Sequence, residues 1–532
     1  MPPAPLLICL PHGLNVSGVT TWALRLAGAL AARGRRAGLI VHREPDDQRR
    51  LPTPAPEGVR IFDAGHLPPL AHAGGNLAPF IPFYRDAAAA ISAGAGPVVL
   101  APNLLGDCYG IAAALCLTEP ERLRVLGWQH SDIAYDARVL TFYEPVITRF
   151  VAVSEHIRRR LGQLLPARTS DVALALHGVP LGPAPRRPHA APGTPLTLLY
   201  TGRLEHPQKR IGALVHLSDE LHSQGVTHRL TLLGDGPAAN EMRAHAAERP
   251  GRFLVRPPTG PEGVAALLAE ADAFVLASRY EGLSVAMLEA MAAGCVPIVT
   301  RVDSGLAEAI ATGRTGLIAD AGPEADAAAA GVALARAVAQ FARSDRRALS
   351  AAARDAAATR FGLDAHAERA AALIDEAAAA PPRSWPASRA CAFTAPAGSG
   401  GSGSGTLGPG AADRLRALLG GLAGRSLILH GAGRHTIELA HVLAESPARI
   451  LAIADDDPAR AGSTLLGWTI SPPQAAALSA AAAGVTDVVI SSWMHQDAIF
   501  ARRAVYERAG LHVHRIYADE SAPQPGGPAR PG

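Results

Sequence analysis

Short apolar runs separated by longer, alanine-rich amphipathic stretches set the fold of this chain before any motif is considered. From residue 5 the runs LLICL, AGLIVH, VRIFDA, PVVLAP, RVLGWQH and FVAVS alternate with stretches such as TTWALRLAGALAARG, PFYRDAAAAISAG and DCYGIAAALCLT. Strands that alternate with helices build parallel sheets, and a parallel sheet is covered by helices on both faces. The alternation breaks at GVPLGPAPRRPHAAPGTP and restarts at LTLLYTGR. It then continues through HRLTLLGDG, RFLVRP, DAFVLAS and VPIVT, and ends in helix from Ala325 to about Ala379. After PPRSWPASRACAFTAPAGSGGSGSGTLGPG it restarts once more, in RSLILHGAGRHTIELAHVL, RILAIADDDP, DVVISSW and HVHRIY. At 532 residues the chain is too long for one core. The predicted organisation is two Rossmann-like doubly wound domains at 1–185 and 195–379 and a Pro/Gly/Ser linker at 380–410. A small Rossmann-like α/β domain follows at 411–520, with a disordered tail at 521–532.

Composition removes several classes of function. A net charge of +3 is too small to point to nucleic acid. No charge-free apolar run reaches the length of a membrane span. The opening MPPAPLLICLPHG lacks a basic leader region and reads as a first strand rather than a signal peptide, and the unpaired cysteines fit a reducing cytoplasm, the expected location. The cysteines (Cys9, Cys108, Cys116, Cys295 and Cys391) are scattered without a CxxC pair, and no HExxH occurs, so neither a disulfide framework nor a zinc site is indicated. Of the 50 basic residues only Lys209 is lysine. A compact ammonium is not interchangeable with a guanidinium at a phosphate.

Two segments carry chemistry. In SRYEGLSVAMLEAMAAGCVPIV, Glu281 lies in a turn and Glu289 on the helix that follows, with seven residues between them. Two carboxylates facing one cleft suit sugar hydroxyls, and the backbone N–H groups of Gly282, Leu283 and Ser284 at the helix start suit an anionic phosphate. In TGRLEHPQKR, directly after the strand LTLLY, Arg203 sits at the strand's carboxyl end and Lys209 six residues further on. Ligands of open α/β sheets bind at the carboxyl ends of strands, where two cations would neutralise a diphosphate.

These segments, in this order, resemble the retaining glycosyltransferases of family 4, the group 1 glycosyltransferases of GT-B fold. The resemblance spans residues 5 to about 379 and is sharpest over 199–320. It implies two facing Rossmann-like domains, an N-terminal acceptor domain and a C-terminal domain for the nucleotide-sugar donor. It implies that Arg203 and Lys209 bind the donor diphosphate, that Glu281 contacts the transferred sugar and that Glu289 holds the ribose hydroxyls. Gly234 and Gly236 of LLGDGP would let the nucleotide approach the backbone. Gly18 of NVSGVTTW, where the family often has a glycine pair, would abut the donor phosphate or the acceptor. His130 of RVLGWQHSD matches a strand-end histidine facing the donor sugar. Arg158, Arg159 and Arg160 are read as a solvated helix face, with contact to an acidic lipid or lipid-linked acceptor as the alternative.

No Asp-x-Asp pair occurs in the first two domains, so no metal or other cofactor is expected. The resemblance implies a front-face displacement assisted by the leaving diphosphate. The expected partners are a nucleotide-sugar donor and a glycan, lipid-linked or small-molecule acceptor, with peripheral contact at the inner membrane surface and no nucleic acid. Residues 66–86 are the candidate acceptor lip. Two alternatives stand beside transfer: a nucleotide-sugar epimerase of the same fold, and a non-catalytic nucleotide-sugar-binding scaffold. The third domain resembles the N-terminal domain of bacterial sugar O-acyltransferases. Gly431 and Gly433 form a G-x-G with Thr436 in the third glycine's place, and Asp455 ends the second strand; these are the candidate nucleotide-binding residues there.

Overall fold

A computed structural model describes residues 3–393 and 411–517, apart from 15–16, 44–54, 71–72, 74, 95, 104, 183–194, 458–459 and 493–495. The chain divides into two compact units, Met1–Thr394 and Ala395–Gly532.

The first unit holds two parallel sheets. One contains β1 (Leu6–Leu10), β2 (Ala37–Val41), β3 (Val59–Asp63), β4 (Val98–Ala101), β5 (Leu123–Gln129), β6 (Ile147–Ala152) and β7 (Val172–Leu174), in the order β3-β2-β1-β4-β5-β6-β7. The other contains β8 (Leu196–Thr201), β9 (His228–Leu233), β10 (Phe253–Arg256), β11 (Ala273–Leu276), β12 (Val296–Thr300) and β13 (Leu317–Ala319), in the order β10-β9-β8-β11-β12-β13. The strand order reverses between β1 and β4 and between β8 and β11, which opens a crevice at the carboxyl ends of both sheets. Central strands such as β1 and β12 are buried along their whole length, as their unbroken apolar sequence requires. This is the GT-B architecture.

Helix α1 (Gly18–Ala31) opens on Ser17, whose hydroxyl accepts from the Thr20 N–H. Helix α2 (Val285–Ala292) opens in the same way on Ser284, which accepts from Met287. In both cases the hydroxyl satisfies an N–H that the first turn leaves without a helical partner.

Two boundaries expected from sequence need correction. Helix α3 (Leu363–Ala379) does not close the second sheet. It returns to the first, against β4, β5, β6 and α1, and buries His366, Ala367, Ala370, Leu373, Ile374 and Ala377 along one stripe. A main-chain clasp fixes the return: Val179 N–H donates to Phe361 and Leu363 N–H donates to Val179. The second correction concerns the segment read as linker from residue 380. Residues 380–393 dock as a strap on the first domain. Trp385 is buried, Arg389 lies 3.9 Å above the Phe142 ring, and Tyr143 OH donates to the Cys391 carbonyl. The prolines restrict this segment to an extended path, and its aromatic residues anchor it. The rest of the expected linker, 394–410, and the tail at 521–532 lie outside the described residues.

The second unit contains β14 (Ser426–His430), β15 (Arg449–Ala454), β16 (Thr464–Leu465), β17 (Trp468–Ser471), β18 (Asp487–Ile490) and β19 (His512–Arg515), in the order β16-β17-β15-β14-β18-β19. All pairs are parallel except β16–β17. It is a third small α/β domain. Among the described residues no helix is long and apolar enough to cross a membrane.

Candidate active site

The two cations expected at the end of β8 are placed differently. Lys209 is largely buried, and its Nζ lies 2.5 Å from Glu281 Oε1. The same oxygen accepts from Ser278 Oγ at 2.7 Å, so the carboxylate is held from two sides. Arg203 is half exposed, with its guanidinium 3.3 Å from the buried Glu205. Tyr200 OH donates to the Arg203 carbonyl and lies within the field of Glu281, Glu205 and Arg203. Burial, followed by the two carboxylates, raises its pKa well above the usual phenol value.

Arg210, which the sequence reading passed over, organises this corner. Its backbone adopts φ +48°, the left-handed region, although it carries a long side chain. The guanidinium is buried and donates to the carbonyls of Ala277, Ser278, Gly322 and Ala325. Burial lowers its pKa to about 10. The side chain thereby pins the end of β11, from which Ser278 reaches Glu281. No periodicity or spacing marks this role, because the bonded carbonyls come from two separate segments.

The Gly282–Ser284 turn touches the facing domain. A side chain at Gly282 would collide with the His130 carbonyl, and the Gly282 carbonyl accepts from Gly305 N–H at 2.7 Å. Gly18 lies across from Val285, so the starts of α1 and α2 approach one another. His130 is buried with both ring nitrogens engaged, 3.2 Å from His177 and 3.2 Å from Asn103. Its backbone carbonyl borders the turn. His177 carries the connection on to the Leu283 carbonyl at 3.0 Å.

Glu289, on α2, has its partner on the facing domain. It pairs with Arg25 of α1, 2.5 Å away across the domain boundary. Gly234 and Gly236 stand at close backbone approaches. A side chain at Gly234 would strike the Gly202 carbonyl, and one at Gly236, where φ is +152°, would strike the Leu204 backbone. These glycines let the loops after β8 and β9 lie against each other. Arg160 is paired with Asp132 and Arg158 with Glu155 at 2.6 Å, as on a solvated helix face.

Residues 195–337 match the sequence family described as glycosyl transferases group 1. Over these residues the chain is similar to the group 1 glycosyltransferases. The chain shares 28% identity over 225 residues with a glycogen synthase of Mycobacterium tuberculosis, covering 40% of this chain and 52% of that one. It shares 36% identity over 146 residues with the GDP-mannose-dependent alpha-(1-6)-phosphatidylinositol dimannoside mannosyltransferase of the same species, covering 26% and 35%. The chain spans about half the length of the first of these relatives or less. Among solved structures, Anabaena Alr3699/HepE in complex with UDP and glucose superposes with a TM-score of 0.52 at 15% identity, over 69% of this chain and 98% of that one. The pneumococcal O-GlcNAc transferase GtfA in complex with UDP and GlcNAc gives 0.54 at 10% identity, over 71% and 100%. At these identities the likeness shows the GT-B fold.

In the second unit the candidate residues make contacts within the fold. Asp455 accepts from Ala432 N–H at 2.6 Å and from Asp457 N–H at 3.0 Å, so both its oxygens brace backbone. Gly431, at φ +120°, fits where a side chain would meet the Ser491 carbonyl. Thr436 bonds to the Gly431 carbonyl and to Ser491, whose hydroxyl also meets His435. These side chains occupy the crevice between β14 and β18. Gly433 caps a helix of only five residues.

Proposed function

We propose that the first unit is a retaining, metal-independent glycosyltransferase that moves a sugar from a nucleotide donor to a glycan, lipid-linked or small-molecule acceptor. The observation that carries this reading is the Lys209–Glu281 pair, set beside a capped helix start that touches the facing domain. On this reading Arg203 and Lys209 hold the diphosphate and spread its charge as it leaves, the role a metal plays elsewhere. Glu281 turns to the transferred sugar when the diphosphate takes its place on Lys209. The bond from the sugar's anomeric carbon to the phosphate oxygen breaks, and the bond to the acceptor oxygen forms on the same face. The acceptor's proton passes to the departing diphosphate. Closure of the two sheets over the crevice keeps water from competing.

A screen of UDP-, GDP- and ADP-sugars for binding and product, with and without EDTA, tests this function. Activity should survive EDTA, and a strict metal requirement would overturn the leaving-group argument. Lys209→Ala should remove most turnover while the protein stays folded; near-normal turnover would remove the role assigned to Lys209.

A further inference from the structure

A line of hydrogen-bond contacts crosses the boundary between the two sheets, and both its ends are backbone carbonyls. It starts at Cys9 O, where β1 ends, with Asn103 Nδ2 at 3.3 Å. Asn103 Oδ1 then lies 3.2 Å from His130 Nε2, and His130 Nδ1 lies 3.2 Å from His177 Nε2. His177 Nδ1 ends the line on Leu283 O at 3.0 Å, in the turn before α2. Four contacts need four protons. The Asn103 amide gives one to Cys9, and each neutral imidazole carries one, which makes three. Turning the amide over satisfies His130 but sets Oδ1 against the Cys9 carbonyl. Changing the tautomers moves the gap without closing it. While both rings are neutral, one contact always faces lone pair to lone pair in a buried place where such a mismatch is costly.

We propose that this line is a binding site for one proton, filled when the diphosphate of a nucleotide sugar occupies the Gly282–Ser284 turn. The proposal rests on the glycosyltransferase reading above. An imidazolium at His130 satisfies all four contacts at once. The groups facing His130 are Trp22 of α1, edge-on at 4.4 Å, Trp128 of β5, His177, and His366 of α3. Asp136, six residues on, accepts from the Ser131 N–H, and burial raises its pKa well above the usual carboxyl value. Burial and the two neighbouring histidines hold His130 well below the ordinary histidine pKa, so the site stays empty without an anion. Because Gly282 rests on the His130 carbonyl, a diphosphate on the turn brings negative charge beside the line.

Calorimetric titration of the full chain with UDP-glucose, GDP-mannose and ADP-glucose tests this, since a nucleotide sugar's diphosphate has no proton of its own to exchange near neutral pH. Between pH 7 and 8.5 the donor that binds should lose affinity as pH rises, by up to about tenfold per pH unit, the limit for one proton taken up. Its binding enthalpy should differ between phosphate and Tris buffers by the amount that such an uptake requires. Asn103→Gly keeps the backbone at φ +47° without strain and removes two of the four contacts, which leaves two contacts for two protons. This variant should bind donor with no pH slope and no buffer dependence. Wild-type binding that is independent of pH and buffer overturns the proposal, as does unchanged uptake in Asn103→Gly. If Asn103→Gly does not fold, the wild-type slope alone decides. If none of the three sugars binds the wild type, the glycosyltransferase reading itself fails and the proton site goes with it.

Discussion

Replacing Arg210 separates two energies that the structure joins in one residue. The left-handed backbone costs a non-glycine residue about 1 kcal/mol. Against this stand four bonds from the guanidinium to the carbonyls of Ala277, Ser278, Gly322 and Ala325. At about 1.5 kcal/mol each, the lower end for bonds to a charged group, they are worth about 6 kcal/mol gross. Burying the cation returns several kcal/mol of this as desolvation. The net loss expected for Arg210→Gly is therefore about 2 kcal/mol, taking relief of strain into account. Arg210→Ala loses the same bonds and keeps the strain, so it should be less stable than Arg210→Gly by about 1 kcal/mol. Urea unfolding followed by tryptophan fluorescence reads both differences. Donor binding should weaken in both variants, because the end of β11 that carries Ser278 toward Glu281 is no longer pinned. An Arg210→Gly protein as stable as wild type, or an alanine variant equal to the glycine one, would refute the reasoning.

Acid should loosen the domain boundary. Burial lowers the pKa of His177 to about 4 and of His366 to about 3, against 6.5 for a free histidine. The unfolded chain therefore binds protons that the native state refuses, and stability falls as pH drops from about 6.5 toward 4, by about 3 kcal/mol for each such histidine. His366→Phe should flatten the decline in a urea series at stepped pH; an unchanged slope would remove His366 from the account. A chain ending at residue 394 should unfold like the wild-type first unit and still bind donor, whereas one ending at residue 380 loses the burial of Trp385 and should be less stable by about 3 kcal/mol. Equal stability of the two truncated chains would show that the strap contributes nothing.

The parts legible in the sequence were those written in local pattern. The strand–helix alternation fixed three α/β sheets, because each apolar run had to be buried on both faces. The spacing of Glu281 from the helix carrying Glu289, and the lone lysine after a strand end, marked the crevice, since strand ends and helix starts are local features. What lay beyond reach depended on contacts between distant segments. Nothing around residue 363 says that α3 crosses to the other sheet, because an alanine stripe packs equally well on either. The prolines of 380–393 resembled a linker until the surface formed by Phe142 and Tyr143 was present to receive the strap. Asp455 looked like a ligand residue until its oxygens were seen on backbone N–H groups. Arg210, His177 and the Arg25–Glu289 pair carry no sequence signal, since each acts through groups that only folding brings near. Local pattern chose the elements and the crevice, and tertiary packing decided which polar atoms were left to meet a ligand.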